Sequence, residues 1–247
     1  MLKAGHTLSD SGLAAFAVGG QDGWTLTDWF ENVYLSQAGP EKYDALAAHK
    51  LKWTDASVVR ALGTLGKLFK DKQLIAGGQK GALNTDFPGS VEKVFGPKPE
   101  AGMVYEGDFV AGVAHDQFGR TIGKDANFFP FPSVDGGKAP VVSGGDAAVV
   151  LKKGKNAKAG MKLLEFLATP EPRPCGPRRA ASCPRTRSST SPPTATTSPA
   201  PPPSPSWTRA TRSASTCPTR PPRLRRHQGA GEWKLLQDFL RDPSDPK

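Results

Sequence analysis

Three short blocks of this chain place carboxylates beside aromatic rings or glycines. The first is Trp24, Asp28 and Trp29, within Gly23-Trp24-Thr25-Leu26-Thr27-Asp28-Trp29-Phe30-Glu31-Asn32. The second is Tyr105, Glu106 and Asp108, with Phe109 following. The third is Gly144, Gly145 and Asp146. Aromatic faces cover the C–H patches of a sugar ring, and carboxylates accept its hydroxyl protons. Gly107, Gly144 and Gly145 would let the backbone come close to such a ligand. Each residue also has a plainer reading. Both tryptophans could be core. Glu106 and Asp108 could be charges at a helix N-terminus, and Asp146 could close a turn. Asp86 could cap a helix opened by Phe87-Pro88. Phe109, Phe129 and Phe131 read as core.

Catalysis fits the same residues less well. Glu106 and Asp108 lie two apart and could share a strand face, as the carboxylates of a carbohydrate-active enzyme would. Glycoside hydrolysis, however, needs two carboxylates about 5 to 9.5 Å apart across a bound sugar, normally from different elements. There is no nucleophile elbow, and the four histidines (His6, His49, His115, His227) are scattered. Cys175, Cys183 and Cys217 lack metal-ligand spacing, so no zinc, disulfide framework or cofactor is expected.

The elements that must hold these blocks read as α/β, because strands and helices alternate. Residues 1 to 23 are small and turn-forming, with Phe16-Ala17-Val18 as a short strand. A helix capped by Thr25 or Thr27 runs to Ala38 and stops at Gly39-Pro40, with Trp24 just before it and Asp28 and Glu31 in its first turn. Glu41 to His49 forms a second helix. Thr54-Asp55 caps a third, whose Val58, Leu62, Leu65 and Phe69 keep the spacing of one helix face. Gly77-Gly78 and Gly81 mark a loop, and a short helix follows to Val94. Ala101 to Tyr105 is a buried strand running into a helix near Glu106 to Phe109. Phe128 to Pro132 is extended. A strand is expected at Ala147 to Leu151, then a helix capped by Asn156 that ends near Ala168.

Composition divides the chain. The formal net charge is +10 over 247 residues, which would point to a nucleic acid or an anionic surface. Between Pro172 and Ala230, however, stand eleven arginines and fourteen prolines with no Lys, Asp or Glu; the remainder carries 22 basic against 23 acidic residues. Three regions are therefore expected: 1–171, a Pro/Arg/Ser-rich 172–228, and 229–247. The middle one has too few large apolar residues to offset its ordering entropy and should be disordered. Its arginines would bind polyanions loosely at low salt without specific nucleic-acid recognition. No run of 18 apolar residues exists, so no membrane span is expected.

The first block resembles the extracellular solute-binding proteins of ABC transporters, in the carbohydrate-binding, maltose-binding-like group. Further blocks agree in order: Met103-Val104-Tyr105-Glu106-Gly107-Asp108-Phe109, then Phe129-Pro130-Phe131-Pro132 with Ser143-Gly144-Gly145-Asp146, then Leu164-Glu165-Phe166-Leu167-Ala168-Thr169-Pro170-Glu171. Gly231-Glu232-Trp233-Lys234-Leu235-Leu236-Gln237-Asp238-Phe239-Leu240 resembles the family's C-terminal region. The resemblance covers residues 1–171 and 229–247. It implies a periplasmic-binding-protein-like fold of two lobes, with a sugar or oligosaccharide in the cleft between them. It also implies an extracytoplasmic location, ABC permease subunits as partners, a monomer, and no enzyme activity. An N-terminal lobe, a signal peptide and a lipid-anchor cysteine would be expected before residue 1. The chain then corresponds mostly to one lobe, the C-terminal one, and lobe closure and sugar affinity should be impaired.

The basic region has a specific expected origin. Reading the codon families of Arg173 to Arg187 two bases later allows Ala-Val-Trp-Ala, any residue, Gln-Gly-Gly-Phe, a Leu or Val, then Ser-Pro-Asn-Lys. The same offset over Trp207 to Thr219 allows Asp-Ala-Gly-Asp-Thr-Phe-Arg-Phe-Asp-Met-Ser-Asp. Both continue the family pattern, so residues 172 to about 228 are expected to be a frameshifted translation.

Overall fold

The computed structural model describes residues 2–144, 148–169 and 231–244. The chain divides into two compact units, one of residues 1–144 with 214–247 and one of residues 145–213. The described elements of the first unit are α1 (Leu2–Asp10), β1 (Ala14–Ala17), α2 (Trp24–Ala47), α3 (Ala56–Phe69), α4 (Gly78–Leu83), α5 (Phe87–Phe95), β2 (Ala101–Val104), α6 (Val110–Phe118) and α8 (Glu232–Arg241); α7 (Ala157–Leu167) belongs to the second unit. The result is a helix-rich α/β architecture. In the first unit β1 and β2 pair in parallel, with Ala14 opposite Ala101 and Phe16 opposite Met103.

The core of the first unit lies between this small sheet and α2, α3 and α8. Val58, Leu62, Leu65 and Phe69 are all buried on one face of α3, as their spacing requires. Asp55 caps α3, accepting from the backbone N of Ser57 at 2.9 Å. α2 bends at Gly39-Pro40, where Gly39 has φ 79 and the helical path is interrupted. From α8, Leu236, Phe239 and Leu240 are buried. A Cβ on Gly20 would meet Leu240 Cδ2 at 2.9 Å, and one on Gly66 would meet the Pro243 carbonyl oxygen at 2.8 Å. The C-terminal segment therefore completes this core, at about 1.5 to 3 kcal/mol for each large apolar side chain fully buried.

Four sequence expectations are corrected. Residues 1 to 23 are more than turns, because α1 occupies Leu2–Asp10. Its Gly5 lets the helix lie against Leu74 and Ala15, so packing rather than propensity fixes it. The glycines at 77, 78 and 81 do not make an open loop; Gly78–Leu83 is the short helix α4, entered through a left-handed Gly77 at φ 70. α2 begins at Trp24 with Gly23 as its N-cap, so neither threonine caps it and no acid lies in its first turn. The Thr25 hydroxyl instead donates to the Gly19 carbonyl at 2.7 Å and holds the glycine turn. Finally, residues 148–151 form no strand, and Ala147 lies outside the described residues. In the second unit, α7 follows Asn156, whose side chain makes no capping bond.

Candidate functional site

The first two blocks meet in the first unit, where the start of α2 approaches the end of β2. The turn 19–23 sets this up. Asp22 Oδ2 accepts from the backbone N of Phe87 at 2.7 Å, and a Cβ on Gly19 would lie 3.0 Å from the Asp86 carbonyl oxygen and the Phe87 Cα. This draws the N-terminus of α5 against the N-terminus of α2. Asp86 is a helix cap, accepting from the backbone N of Gly89 at 2.8 Å.

Three aromatic rings result. Trp24 lies 5.4 Å from Phe87 and 6.2 Å from Phe109, and Phe87 lies 5.4 Å from Phe109, centroid to centroid. At these separations the rings touch one another and form a platform with no gap for a ligand between them. Trp24 is half-buried and Phe109 is 41 % exposed. Phe109 and the 63 % exposed Phe129 are thus not core; of the three phenylalanines expected there, Phe131 alone is buried.

Trp29, one and a half turns further along α2, is 1 % exposed. Its ring meets Phe16, Phe69, Tyr105 and Phe131 edge-on at 4.9 to 6.0 Å. It supports the site from beneath. Tyr105 packs edge-on against Trp29 and Phe131, and its hydroxyl accepts from Asn32 Nδ2.

Beside the platform is a row of acids. Asp28 and Glu106 face each other within hydrogen-bonding reach. Burial, and then the neighbouring Asp28 carboxyl, push Glu106 up to about 10. Asp28 is also raised by burial. The pair therefore holds a proton at neutral pH, and the buried Glu106 Oε2 has no hydrogen-bond partner. Asp108 is exposed. The carboxyl that faces Glu106 thus comes from α2 and not from Asp108; both Glu106 and Asp108 lie beyond β2, so the strand face weighed for an enzyme is not formed.

Three residues were missed by sequence reasoning: Phe87, whose ring joins the platform, and two from α8. Glu232, at the start of α8, faces Thr27 and Asp28, and burial raises its carboxyl. Trp233 is 55 % exposed, and its Cβ would lie 2.7 Å from a Cβ on Gly23. The signal was the acid–tryptophan pair opening an amphipathic helix, but nothing local says that this helix returns to α2. Gln237 secures the contact, donating to the carbonyls of Gly20 at 3.0 Å and Gln21 at 2.8 Å.

Gly144 is exposed and in no regular element, while Gly145 and Asp146 lie outside the described residues. Among the described residues, no group of His, Cys, Asp and Glu could hold a metal ion, and no helix is long and apolar enough to cross a membrane. Two cavities, of about 300 and 430 Å³, lie elsewhere, the first lined by Gln37, Lys42 and Arg60 and the second by Lys80, Gln237 and Arg241.

A platform beside carboxyls has the chemistry to cover C–H patches and accept hydroxyl protons. The bacterial extracellular solute-binding protein family matches residues 1–174, and the chain belongs to that family. It is 31 % identical over 155 residues to the alpha-glucosides-binding periplasmic protein AglE of Rhizobium meliloti, covering 62 % of this chain and 33 % of that one. It is 28 % identical over 182 residues to the osmoprotective compounds-binding protein GgtB of Synechocystis, covering 70 % of this chain and 41 % of that one. The matches thus span between a third and two fifths of these relatives' lengths. No solved structure matches. The family and both relatives are described as binding proteins, not enzymes.

Proposed function

We propose that this chain binds a sugar or oligosaccharide as part of the substrate-binding component of an ABC importer, of the maltose-binding-like group, acting outside the cytoplasm and presenting its ligand to permease subunits. The observation that carries this reading is the platform of Trp24, Phe87 and Phe109 beside Asp28 and Glu106, with an unpartnered buried oxygen on Glu106. A sugar ring stacks on the platform and donates hydroxyl protons to the carboxyls. Trp24, Asp28, Tyr105, Glu106, Asp108, Glu232 and Trp233 form or border this wall; Gly144, Gly145 and Asp146 are counted as ligand residues on the family resemblance of their block alone. Trp29 acts through Tyr105.

The wall is open, whereas tight small-molecule sites bury most of the ligand. Affinity for a simple sugar is therefore on the order of millimolar. Ligand-observed NMR with maltose, sucrose and trehalose tests the reading. Saturable binding of at least one, unchanged by moderate salt, supports it; no binding of any sinks it.

Residues 172 to about 228 we read as a frameshifted stretch without a function of its own, so that polyanion binding by its arginines is incidental. A nucleotide sequence of codons 165 to 235 with no pair of compensating insertions or deletions relative to family genes would contradict this. Heparin binding that survives high salt would favour the polyanion reading instead.

A further inference from the structure

Residues 131–138 lie as a strap across α2 and α3 within the first unit. At one end Phe131 is buried with its ring 4.8 Å from Tyr105 and 5.9 Å from Trp29. At the other end Ser36, a buried hydroxyl on α2, fastens the strap twice. Its Oγ accepts from the backbone N of Val134 at 2.9 Å and donates to the carbonyl of Lys138 at 2.7 Å. Between these bonds the chain turns through two left-handed residues, Asp135 at φ 51 and Gly136 at φ 74. Gly137 N closes the turn on the Val134 carbonyl at 2.9 Å. Gly137 also passes so near α2 that a Cβ there would lie 2.2 Å from the Ser36 carbonyl oxygen. A second clasp is exposed: Asp135 Oδ2 accepts from Gln37 Nε2 at 2.6 Å and Arg60 Nη2 at 3.0 Å.

A left-handed conformation at a non-glycine residue is uncommon and is retained where surrounding contacts over-determine it. Here the Ser36 bonds supply that determination. The exposed ion pair contributes little, because solvent screens it. Phe131 stands only three residues before the first of these bonds, so the fastening limits how far its ring can leave Tyr105. We propose that Ser36 is a positioning residue for the ligand wall: by buckling residues 134–138 onto α2 it seats Phe131 against Tyr105 and so fixes the edge that carries Glu106. The consequence for ligand rests on the sugar-binding reading above; the positioning of Tyr105 does not.

The chain has three tyrosines, Tyr34, Tyr43 and Tyr105, so fluorotyrosine incorporation into the full chain gives three fluorine NMR signals. Tyr105 is assigned by its absence in Tyr105→Phe. Ser36→Ala removes the buckle; Gly137→Ala forces residues 134–138 off α2 while leaving the Ser36 hydroxyl in place, and decides the matter if Ser36→Ala fails to fold. The expected result is a shifted or broadened Tyr105 signal in both, with Tyr43 unchanged. Leu74→Ala, a cavity on the β1 side, serves as the control for general loosening and should leave Tyr105 unchanged. An unmoved Tyr105 signal in the folded strap variants overturns the proposal, as does an equal change in Leu74→Ala. In the same samples the affinity for whichever of maltose, sucrose and trehalose the native chain binds falls on the order of fivefold in the strap variants. If the native chain binds none of maltose, sucrose and trehalose while the Tyr105 signal still moves, the sugar reading fails and the positioning role stands. If one of these sugars binds and its affinity is unchanged while Tyr105 moves, Ser36 does not serve the ligand wall and the proposal fails.

Discussion

Trp24 and Trp29 stand five residues apart on one helix and have opposite surroundings. Trp29 is enclosed by Phe16, Phe69, Tyr105 and Phe131. Trp24 lies in a shallow cluster with Phe87 and Phe109, beside acids that hold a proton between them. Five residues turn a helix by about 500°, roughly 140° beyond a full circle, so the two rings cannot share a face. On the proposed reading, the difference separates stability from recognition along a single helix.

The largest expected effect breaks this comparison if it fails. Trp29→Ala should cost about 3 to 5 kcal/mol of stability in chemical denaturation, the range for large aromatic core truncations. Trp24→Ala should cost well under half as much. Similar losses for the two would mean that the platform is core and the recognition argument collapses.

A smaller effect sharpens it. The unfolded Glu106 carboxyl titrates near 4.5 and the folded one near 10. Between these values the folded chain keeps a proton that the unfolded chain has released. Stability should therefore fall as pH rises through this window, with a contribution of at most about 1.4 kcal/mol per pH unit. Glu106→Gln should flatten that slope in urea titrations at pH 5, 7 and 9. An unchanged slope would mean that Glu106 is ionised in the folded chain and the shared proton does not exist. The smallest effect concerns the scaffold under the platform. Asp86→Ala removes the α5 cap and should lower stability in chemical denaturation by about 1 kcal/mol. Larger damage would show that Phe87 depends on this cap more than on Asp22.

The helices were legible where one residue type decides them. The Gly39-Pro40 break, the Asp55 cap and the apolar face of α3 all rest on local spacing. α1 and α4 were hidden because their glycines are weak helix formers locally and are placed by close contacts with Leu74 and within the 76–81 turn. The site was legible in part for the same reason. Trp24, Tyr105 and Glu106 announced themselves by type, while the pairing of Glu106 with Asp28 and the arrival of Glu232 and Trp233 depend on contacts between distant segments. The glycines at 20 and 23, which admit α8, record that arrival only once the partner is known. Asp146 lies outside the described residues, so its expected role stands as part of the proposed function.

The most direct test of the account is maltose, sucrose and trehalose binding measured by ligand-observed NMR on the native chain and on Trp24→Ala side by side. The account predicts weak saturable binding of at least one sugar to the native chain, lost in the variant while its unfolding midpoint stays close to native. Binding that survives the loss of Trp24, or no binding in either protein, would contradict it.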